Sequence, residues 1–339
     1  MEKLLLLFFT ITVIGMVYYV HLHPSSKESK IASLACYVAG GIRLPDLFEM
    51  KTPPDNSIYF IDTSCKSFTE GAVSIDPRQA CAVESAALSN PDYQTYLLYT
   101  SSGFIGDEST LSGKLLHTLT EIKNVKLLWL NFTRLLEGTI VEDLYTSGKI
   151  QSSKFPVNTA SNIASLLLLL KFGGIYLDLD FVIIRPFDDL ASNFAVAESE
   201  SVVNNAILRS NLNDSGQEFI RSCLEELRGN AWGQNGPEIV TKVLEKMCNV
   251  TEINEMYQKN CSGVTVYPPD YFYPIDYKRW KLYFDSGHKN DLYHILASHG
   301  IRVWNMLSKD ARSDSEESIY RAIAKAYCPQ VYSIASEYF

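Results

Sequence analysis

Short apolar runs and amphipathic segments alternate along the chain from Ile58 onward. Runs rich in β-branched and aromatic residues predict strands, here at Ile58–Ile61, Thr95–Tyr99, Val125–Leu130 and Ile175–Ile184. Apolar residues at helical spacing predict helices, here at Arg78–Leu88, Thr159–Phe172, Gln217–Leu227, Pro237–Met247 and Ser318–Tyr327. This alternation predicts an α/β fold with a mainly parallel central sheet flanked by helices.

A mainly apolar run, Leu4–Val20, precedes this body. A membrane-spanning helix needs about 17–25 such residues. A cleaved signal peptide is the alternative, but its apolar core usually has about 7–15 residues, and no A-x-A cleavage site follows the run. We therefore predict a cytoplasmic tail at 1–3, a transmembrane signal anchor at 4–20, a lumenal stem at 21–56 and a single lumenal domain at 57–339.

Composition and charge narrow the class of protein. Apolar residues make up 46% of the 339 residues and charged residues 20%, which leaves ample material for a buried core. The net charge of −9 argues against a nucleic-acid partner. Four Asn-x-Ser/Thr sequons all follow the predicted anchor, and they favour a lumenal body; they lie at Asn131, Asn213, Asn249 and Asn260.

The seven cysteines lack the paired CxxC spacing of zinc sites. In an oxidising compartment they indicate disulfides. Closely spaced pairs are the economical hypothesis, which gives Cys65–Cys81 and Cys248–Cys261, and leaves Cys223–Cys328 as the third pair with Cys36 unpaired in the stem.

The segment with candidate chemistry is a buried helix followed by Gly173-Gly174 and a strand that contains Asp178 and Asp180. Thr159 or Ser161 would cap the helix, and glycine would end it. Side chains two apart on a strand point the same way, so both carboxylates would converge. Because two buried carboxylates repel, a divalent cation such as Mn²⁺ or Mg²⁺ would join them to a diphosphate. The alternative is a strand-end turn with solvated aspartates.

Several motifs in order along the chain resemble the lactosylceramide 4-alpha-galactosyltransferase and alpha-1,4-N-acetylglucosaminyltransferase family, including its insect members. The motifs are Ile58-Tyr-Phe-Ile-Asp-Thr-Ser, Cys81-Ala-Val-Glu-Ser-Ala-Ala, Lys171-Phe-Gly-Gly-Ile-Tyr-Leu-Asp-Leu-Asp, Asn204-Asn-Ala, Trp232-Gly-Gln-Asn-Gly-Pro, Val264-Thr-Val-Tyr-Pro-Pro-Asp-Tyr-Phe-Tyr-Pro-Ile and Val303-Trp-Asn. The resemblance implies a GT-A type nucleotide-sugar-binding fold, a single-pass type II Golgi membrane protein with a lumenal catalytic domain, and retaining transfer from a UDP-sugar.

The same resemblance assigns roles to individual residues. Asp178 would face the ribose and the donor sugar, and Asp180 would be the direct metal ligand. Trp304 and Asn305 would lie near the diphosphate. The donor and acceptor pocket would be shaped by Asn204, which we also place among the catalytic residues, and by Asn235 and Gly236.

Each role has a structural alternative. Trp304 would be a core residue, Asn204 a turn cap, and Asn235-Gly236-Pro237 only a turn before a helix. The aromatic residues Tyr271, Phe272 and Tyr273 would pack in the core rather than stack on an acceptor sugar.

Three positions depart from the family pattern. The family's Ser-Asp-x-x-Arg, whose Asp and Arg hold hydroxyl groups of the donor sugar, is Ser161-Asn162-Ile-Ala-Ser165 here. Asn162 still offers hydrogen bonds in the donor site but lacks a carboxylate's charge, and Ser165 is too short to replace an arginine. The family's histidine before Val-Trp-Asn is Arg302, with His299 nearby.

These observations predict a metal-dependent retaining glycosyltransferase that moves a hexose or N-acetylhexosamine from a UDP-sugar to a glycolipid or glycan, with an α-1,4 linkage favoured. Two alternatives stay open. One is a weak or inactive homologue that binds nucleotide or glycan or modulates another transferase. The other is a structural lumenal membrane protein without a ligand.

Overall fold

A computed structural model describes residues 34–37, 41–230, 236–257, 259–313 and 317–339. Seven of the described strands form one sheet in the order β10-β8-β9-β6-β1-β3-β5. The strands of the chain are β1 Ser57–Asp62, β2 Ala72–Val73, β3 Gln94–Tyr99, β4 Phe104–Ile105, β5 Val125–Trp129, β6 Gly174–Leu177, β7 Phe181–Ile183, β8 Phe194–Ser199, β9 Val202–Ser210, β10 Thr265–Tyr267 and β11 Gly300–Arg302.

The α-helices are numbered separately along the chain. They are α1 Lys66–Glu70, α2 Pro77–Ser89, α3 Leu111–Glu121, α4 Phe132–Leu136, α5 Glu142–Thr146, α6 Lys149–Ser152, α7 Pro156–Phe172, α8 Asp214–Asn230, α9 Gly236–Cys248, α10 Ile253–Met256, α11 Leu292–Leu296, α12 Asn305–Ser308, α13 Ile319–Tyr327 and α14 Pro329–Ala335.

The sheet is mainly parallel, as the sequence predicts. Strand β1 runs parallel to both β3 and β6, and β3 runs parallel to β5. The exception is β9, which lies antiparallel to β6 and to β8. Residues Ser57–Ile61 of β1 are all buried, because both faces of a central parallel strand are covered. The predicted α/β class is therefore confirmed.

Two hydrophobic layers cover the sheet. One face packs against α2, α3, α13 and α14. The other packs against α4, α7, α8 and α9. Alternate residues of β1 supply the two layers, with Ile58 and Phe60 in the first and Tyr59 and Ile61 in the second.

Helix α7 leads directly into the site. It begins at Pro156 after Phe155, earlier than the caps predicted at Thr159 or Ser161, because proline is well suited to the first helical turn. It ends at Phe172, and Gly174 has φ +100°. A Cβ at Gly174 would lie 2.6 Å from a backbone oxygen of β1, so glycine lets the two strands approach.

The strand predicted at Ile175–Ile184 is broken in the structure. Strand β6 ends at Leu177 and β7 begins at Phe181, where it pairs with β11 outside the main sheet. The backbone N–H of Asp178 still donates to the carbonyl of Ala206, and Phe181 N–H then closes a turn onto the carbonyl of Asp178. The two aspartates therefore lie in a turn and not within a strand.

The disulfides differ from the predicted set. Cys248–Cys261 is confirmed, whereas the structure pairs Cys36 with Cys65 and Cys81 with Cys328, and leaves Cys223 as a buried thiol. The prediction used closeness in sequence. The fold instead packs α2 against α13 and α14, and this brings Cys81 to Cys328 across a separation of 247 residues.

The predicted anchor and tail lie outside the described residues. Within the described ranges no helix is both long and apolar enough to cross a membrane. The predicted stem, 21–56, extends too far: Leu34, Tyr37, Leu44 and Leu47 are buried against the domain. The hydroxyl of Tyr37 also donates to the carbonyl of Thr63 at 2.6 Å.

Candidate active site

The two aspartates lie at the carboxyl end of β6. Asp178 follows its last residue, and β6 runs parallel to β1, so the site opens at the edge where both strands end. Ligands of open α/β sheets bind at this edge. The sequence predicted that the two carboxylates would meet because they lie on one strand. They do meet, although they lie in a turn: both contact the guanidinium group of Arg302.

Arg302 bridges the aspartate pair. Its Nη2 donates to Asp178 Oδ2 at 2.6 Å, and its Nε lies 3.1 Å from each carboxylate oxygen of Asp180. The arginine is the last residue of β11 and pairs directly with Phe181, the residue after Asp180. The guanidinium carbon also lies 5.1 Å from the centroid of the Trp304 ring. Sheet pairing and ring contact thus hold the cation beside the acids.

The charges perturb each other because they lie close together, and two of the three side chains are largely shielded from water. The Arg302 side chain is 15% exposed and that of Asp180 is 10% exposed. Burial raises the pKa of Asp178 to about 6, although the attraction of Arg302 opposes the rise. Burial lowers the pKa of Arg302, but the attraction of Asp180 and Asp178 outweighs it and raises that pKa above its usual value. Arg302 is therefore charged at every physiological pH.

Asn204 reaches this cluster through a third acid, Glu198. Its Nδ2 donates to Glu198 Oε2, and its Oδ1 accepts the backbone N–H of Ala206. Glu198 Oε2 lies 3.9 Å from Arg302 Nη1. The pairing of β8 with β9 shifts register on both sides of this point. The structure thus brings Asn204 to the site, though by way of an acid that the sequence did not indicate.

A second amide group lies next along β9. Asn205 Nδ2 donates to Asn162 Oδ1 at 2.9 Å, and a Cβ at Gly236 would lie 2.5 Å from the Asn205 side chain. Asn162, Asn205 and Gly236 are therefore neighbours. Ser165 is buried in α7 and donates to the carbonyl of Asn162, so it does not replace an arginine. Asn235 lies outside the described residues.

Trp304 and Asn305 follow Arg302 and close the site. Trp304 has φ +56°, a left-handed conformation that turns the chain from β11 into α12, and its indole N–H donates to the carbonyl of Ile275 at 3.0 Å. The backbone N–H of Asn305 donates to Asp180 Oδ2 at 3.2 Å. Asn305 Oδ1 is buried and accepts no hydrogen bond from the described residues.

The aromatic residues and His299 pack beside the site, and the Tyr273 ring lies 5.7 Å from that of Trp304. Phe272 and Tyr273 are buried, in contact with the ring of Phe181, which supports the core role for both. The imidazole of His299 stacks on Tyr271 and contacts Asp189 at 3.0 Å. It therefore does not take the place of the family histidine.

The arrangement does not fit a divalent ion. All four carboxylate oxygens of Asp178 and Asp180 already face a hydrogen-bond donor: Tyr176 hydroxyl at 2.8 Å, Arg302, and the N–H of Asn305. A guanidinium occupies the space between the two carboxylates. The described part of the chain also contains no group of three or more His, Cys, Asp or Glu residues arranged to hold a metal.

Sequence reasoning missed three members of this site. Asn205 follows Asn204 in the motif Asn204-Asn-Ala, and this motif could have indicated both residues. Tyr176 lies two residues before Asp178 and therefore on the same side of the strand. No sequence pattern indicated Glu198. It is distant in sequence from the other site residues and reaches the site only through the shifted register of β8 and β9.

Two family models match the parts of the chain that contain these residues. Residues 76–197, which contain the aspartate pair, match the family "Glycosyltransferase sugar-binding region containing DXD motif". Residues 212–335, which contain Arg302, match the family "Alpha 1,4-glycosyltransferase conserved region". Fold and site thus define a glycosyltransferase of the α-1,4 class with a DXD motif.

Individual proteins similar to this chain identify the family. The chain is 30% identical to a lactosylceramide 4-alpha-galactosyltransferase of Pongo pygmaeus, over 63% of this chain and 99% of the relative. It is 27% identical to that of Homo sapiens (97% and 92%), and 26% identical to a human alpha-1,4-N-acetylglucosaminyltransferase (81% and 79%). The chain belongs to this family of α-1,4-glycosyltransferases.

Solved structures are more distant. A galactosyltransferase LgtC in complex with donor and acceptor sugar analogs is 11% identical, with a TM-score of 0.39 over 82% of this chain and 96% of that chain. PaToxG glycosyltransferase is 21% identical, with a TM-score of 0.40 over 57% and 70%.

Proposed function

We propose that this glycosyltransferase moves a hexose or N-acetylhexosamine from a UDP-sugar to a hydroxyl group of a glycolipid or glycan, forming an α-1,4 linkage with retention of configuration. The names of the relatives support galactose and N-acetylglucosamine as the first donor sugars to test and lactosylceramide as the first acceptor. The departures at Asn162 and Ser165 fall where the family holds the donor sugar. The identity of that sugar is therefore the least constrained part of the proposed reaction.

One observation carries the proposal. Charged and amide groups from distant parts of the chain converge at the carboxyl edge of the sheet: Asp178 and Asp180 after β6, Arg302 at the end of β11, Asn305 just beyond it, and Asn204 on β9. A diphosphate needs a fixed cation, and a sugar needs paired acceptors and donors. Arg302 supplies the first and the amides and carboxylates supply the second.

The resemblance implies retention of configuration, and we propose a same-face reaction on that basis. The acceptor hydroxyl forms a bond to the anomeric carbon while the bond from that carbon to the β-phosphate oxygen breaks. The hydroxyl proton passes to the departing phosphate oxygen, so UDP leaves from the face that the acceptor enters. Charge that develops on the diphosphate is stabilised by Arg302, which is already in position and needs little reorganisation.

Metal dependence on Mn²⁺ or Mg²⁺ stays a prediction of the sequence. The contacts of Arg302 argue against it, because the guanidinium donates to both carboxylates and stands where the ion would join them. No step above therefore uses a metal.

We further propose a Golgi-lumenal enzyme held by the N-terminal anchor. Three disulfides among the described residues favour an oxidising compartment. Three of the sequon residues, Asn213, Asn249 and Asn260, are exposed. Sensitivity of the expressed protein to endoglycosidase, lost on Asn→Gln replacement at these positions, tests this part.

The activity is tested with the full-length chain and a panel of UDP-sugars, with and without lactosylceramide, by following UDP release. Asp180→Asn should reduce the rate about 100-fold or more, since it removes a charge from a preorganised site. The exposed Asp285→Asn is the matched control and should behave as the wild type. Equal rates for wild type and Asp180→Asn would contradict the proposal.

The same assay distinguishes the proposed enzyme from a weak or inactive homologue. Arg302 on the aspartates and Asn162 held by Asn205 are the observations that favour a weak or inactive homologue. Such a protein would be stabilised by UDP in thermal melts, with a shift that rises with concentration, yet would release no UDP from any sugar nucleotide.

A further inference from the structure

Arg302 occupies the position in which the sequence predicts a metal ion. Its guanidinium lies between Asp178 and Asp180, within 3.1 Å of carboxylate oxygens of both. From these contacts we infer that Arg302 is the built-in cation of this site, that it binds the diphosphate of the donor directly, and that donor binding needs no divalent metal. This inference rests on the proposed function and concerns how the same site holds its donor.

The guanidinium has one edge for the acids and one for a ligand. Nε and Nη2 donate to Asp180 and Asp178. Nη1 is nearest to Glu198, at 3.9 Å, which is beyond hydrogen-bond distance. Because a guanidinium has five N–H donors, the Nη1 hydrogens and one Nη2 hydrogen remain for phosphate oxygens. A bidentate arginine–phosphate contact needs two such donors.

The position of this cation is fixed by the fold. The backbone pairing of Arg302 with Phe181 ties the arginine to the residue next to Asp180. The rings of Phe181 and Trp304 lie 5.7 Å and 5.1 Å from its guanidinium carbon. A cation that is placed before the ligand arrives loses little conformational entropy on binding, and this favours affinity.

A mobile ion would have little to bind here. A divalent ion that joins the two carboxylates would have to enter where the guanidinium already lies within hydrogen-bond distance of both. It would also lie beside a guanidinium that carries a positive charge and cannot be deprotonated. A metal–UDP complex has less negative charge than free UDP, so it gains nothing in its attraction to Arg302.

The decisive experiment is calorimetric titration of UDP into the full-length chain, in EDTA and then in Mn²⁺. Wild-type affinity should differ by less than about threefold between the two conditions. Arg302→His should lose about tenfold or more in EDTA, the effect of one lost charge-assisted hydrogen bond, and should regain affinity in Mn²⁺. Arg302→Lys keeps the charge, so its affinity for UDP in EDTA should lie between those of the wild type and Arg302→His, with no gain from Mn²⁺.

Direct metal binding provides an independent measurement. In electron paramagnetic resonance of Mn²⁺ alone, the wild type should show no bound ion and Arg302→His should show one. Exposed Arg221→His is the matched control and should match the wild type in every measurement. If Arg302→His does not fold, as judged by circular dichroism, the two wild-type measurements still decide the question.

The outcomes also separate this inference from the proposed function. Wild-type binding of UDP that requires Mn²⁺, or tight binding of Mn²⁺ alone, overturns the inference and leaves the glycosyltransferase activity in place. Failure to bind UDP in either condition overturns both.

Discussion

Replacing Arg302 by glutamine should destabilise the protein strongly without any ligand present. The substitution keeps a polar side chain but removes the positive charge that faces Asp178, Asp180 and Glu198. Removing one partner of a buried ion pair costs about 3–5 kcal/mol, since it leaves the other charge desolvated and unpaired. Arg302 is 15% and Asp180 10% exposed, so a cost of about 3 kcal/mol is expected here.

A double-mutant cycle isolates the contact itself. The four proteins are the wild type, Arg302→Gln, Asp180→Asn and the double variant, unfolded in urea with the disulfides intact. Asp180→Asn alone should cost about 1–2 kcal/mol, because the amide oxygen still accepts from the N–H of Asn305. The double variant should be more stable than the sum of the single losses predicts, by about 1–3 kcal/mol. If the losses of the two single variants add up to the loss of the double variant within about 0.5 kcal/mol, the contact between Arg302 and Asp180 is refuted.

The cost of Arg302→Gln should depend on pH. Burial raises the pKa of Asp178 to about 6 in the folded protein, above the value of about 3.9 for an unfolded chain. Between these values the native state binds more protons, so its stability falls as pH rises. Because Arg302 opposes this rise in pKa, its removal should cost least near pH 4 and most above about pH 7. A cost that is constant across this range would contradict the reasoning.

Three further predictions concern the framework. Glu84 accepts two backbone N–H groups of α14, and burial raises its pKa; Glu84→Gln should lose about 1 kcal/mol at pH 4, and in thermal melts this deficit should narrow as pH rises through the raised pKa. Serine at both Cys81 and Cys328 should cost about 4 kcal/mol in urea unfolding, since the bridge closes a loop with a separation of 247 residues. Gly174→Ala should cost about 2 kcal/mol or more by thermal melting, because its φ is +100° and its Cβ meets β1, whereas Gly229→Ala, with open space around it, is the control.

The sheet and its helices were predictable because their signals are local. The strand at Ile58–Ile61 and the helix at Arg78–Leu88 each appear within one residue of the predicted limits. Both carry a continuous apolar pattern, and proline after Asp76 marks the helix start. Patterns of this kind can be read from the sequence, because the residues that will be buried are the apolar ones and their spacing differs between helices and strands.

The break after Leu177 was not predictable from apolar pattern. Residues 175–184 are apolar except at the two aspartates, so they suggest one strand. The chain turns there because Asp178 N–H is held by Ala206 on β9, and β7 then pairs with β11. Such pairings join residues that are far apart in the sequence, for example Arg302 with Phe181, and single-sequence periodicity contains no information about them. The same reason accounts for the misassigned partners of Cys65 and Cys81.

Position 302 shows how one residue can change the chemistry of a site while the fold is kept. Its side chain points at the acids because β11 is paired with β7 in fixed register, and that register depends on backbone hydrogen bonds and not on the identity of the side chain. A short side chain there would leave a gap between two carboxylates, which repel each other until a mobile cation enters. Arginine fills the gap with a cation that is part of the chain, so its effective concentration is constant and independent of the metal content of the compartment. The choice between a mobile and a built-in cation is therefore made at the edge of a two-stranded sheet, outside the main sheet that supplies the aspartates.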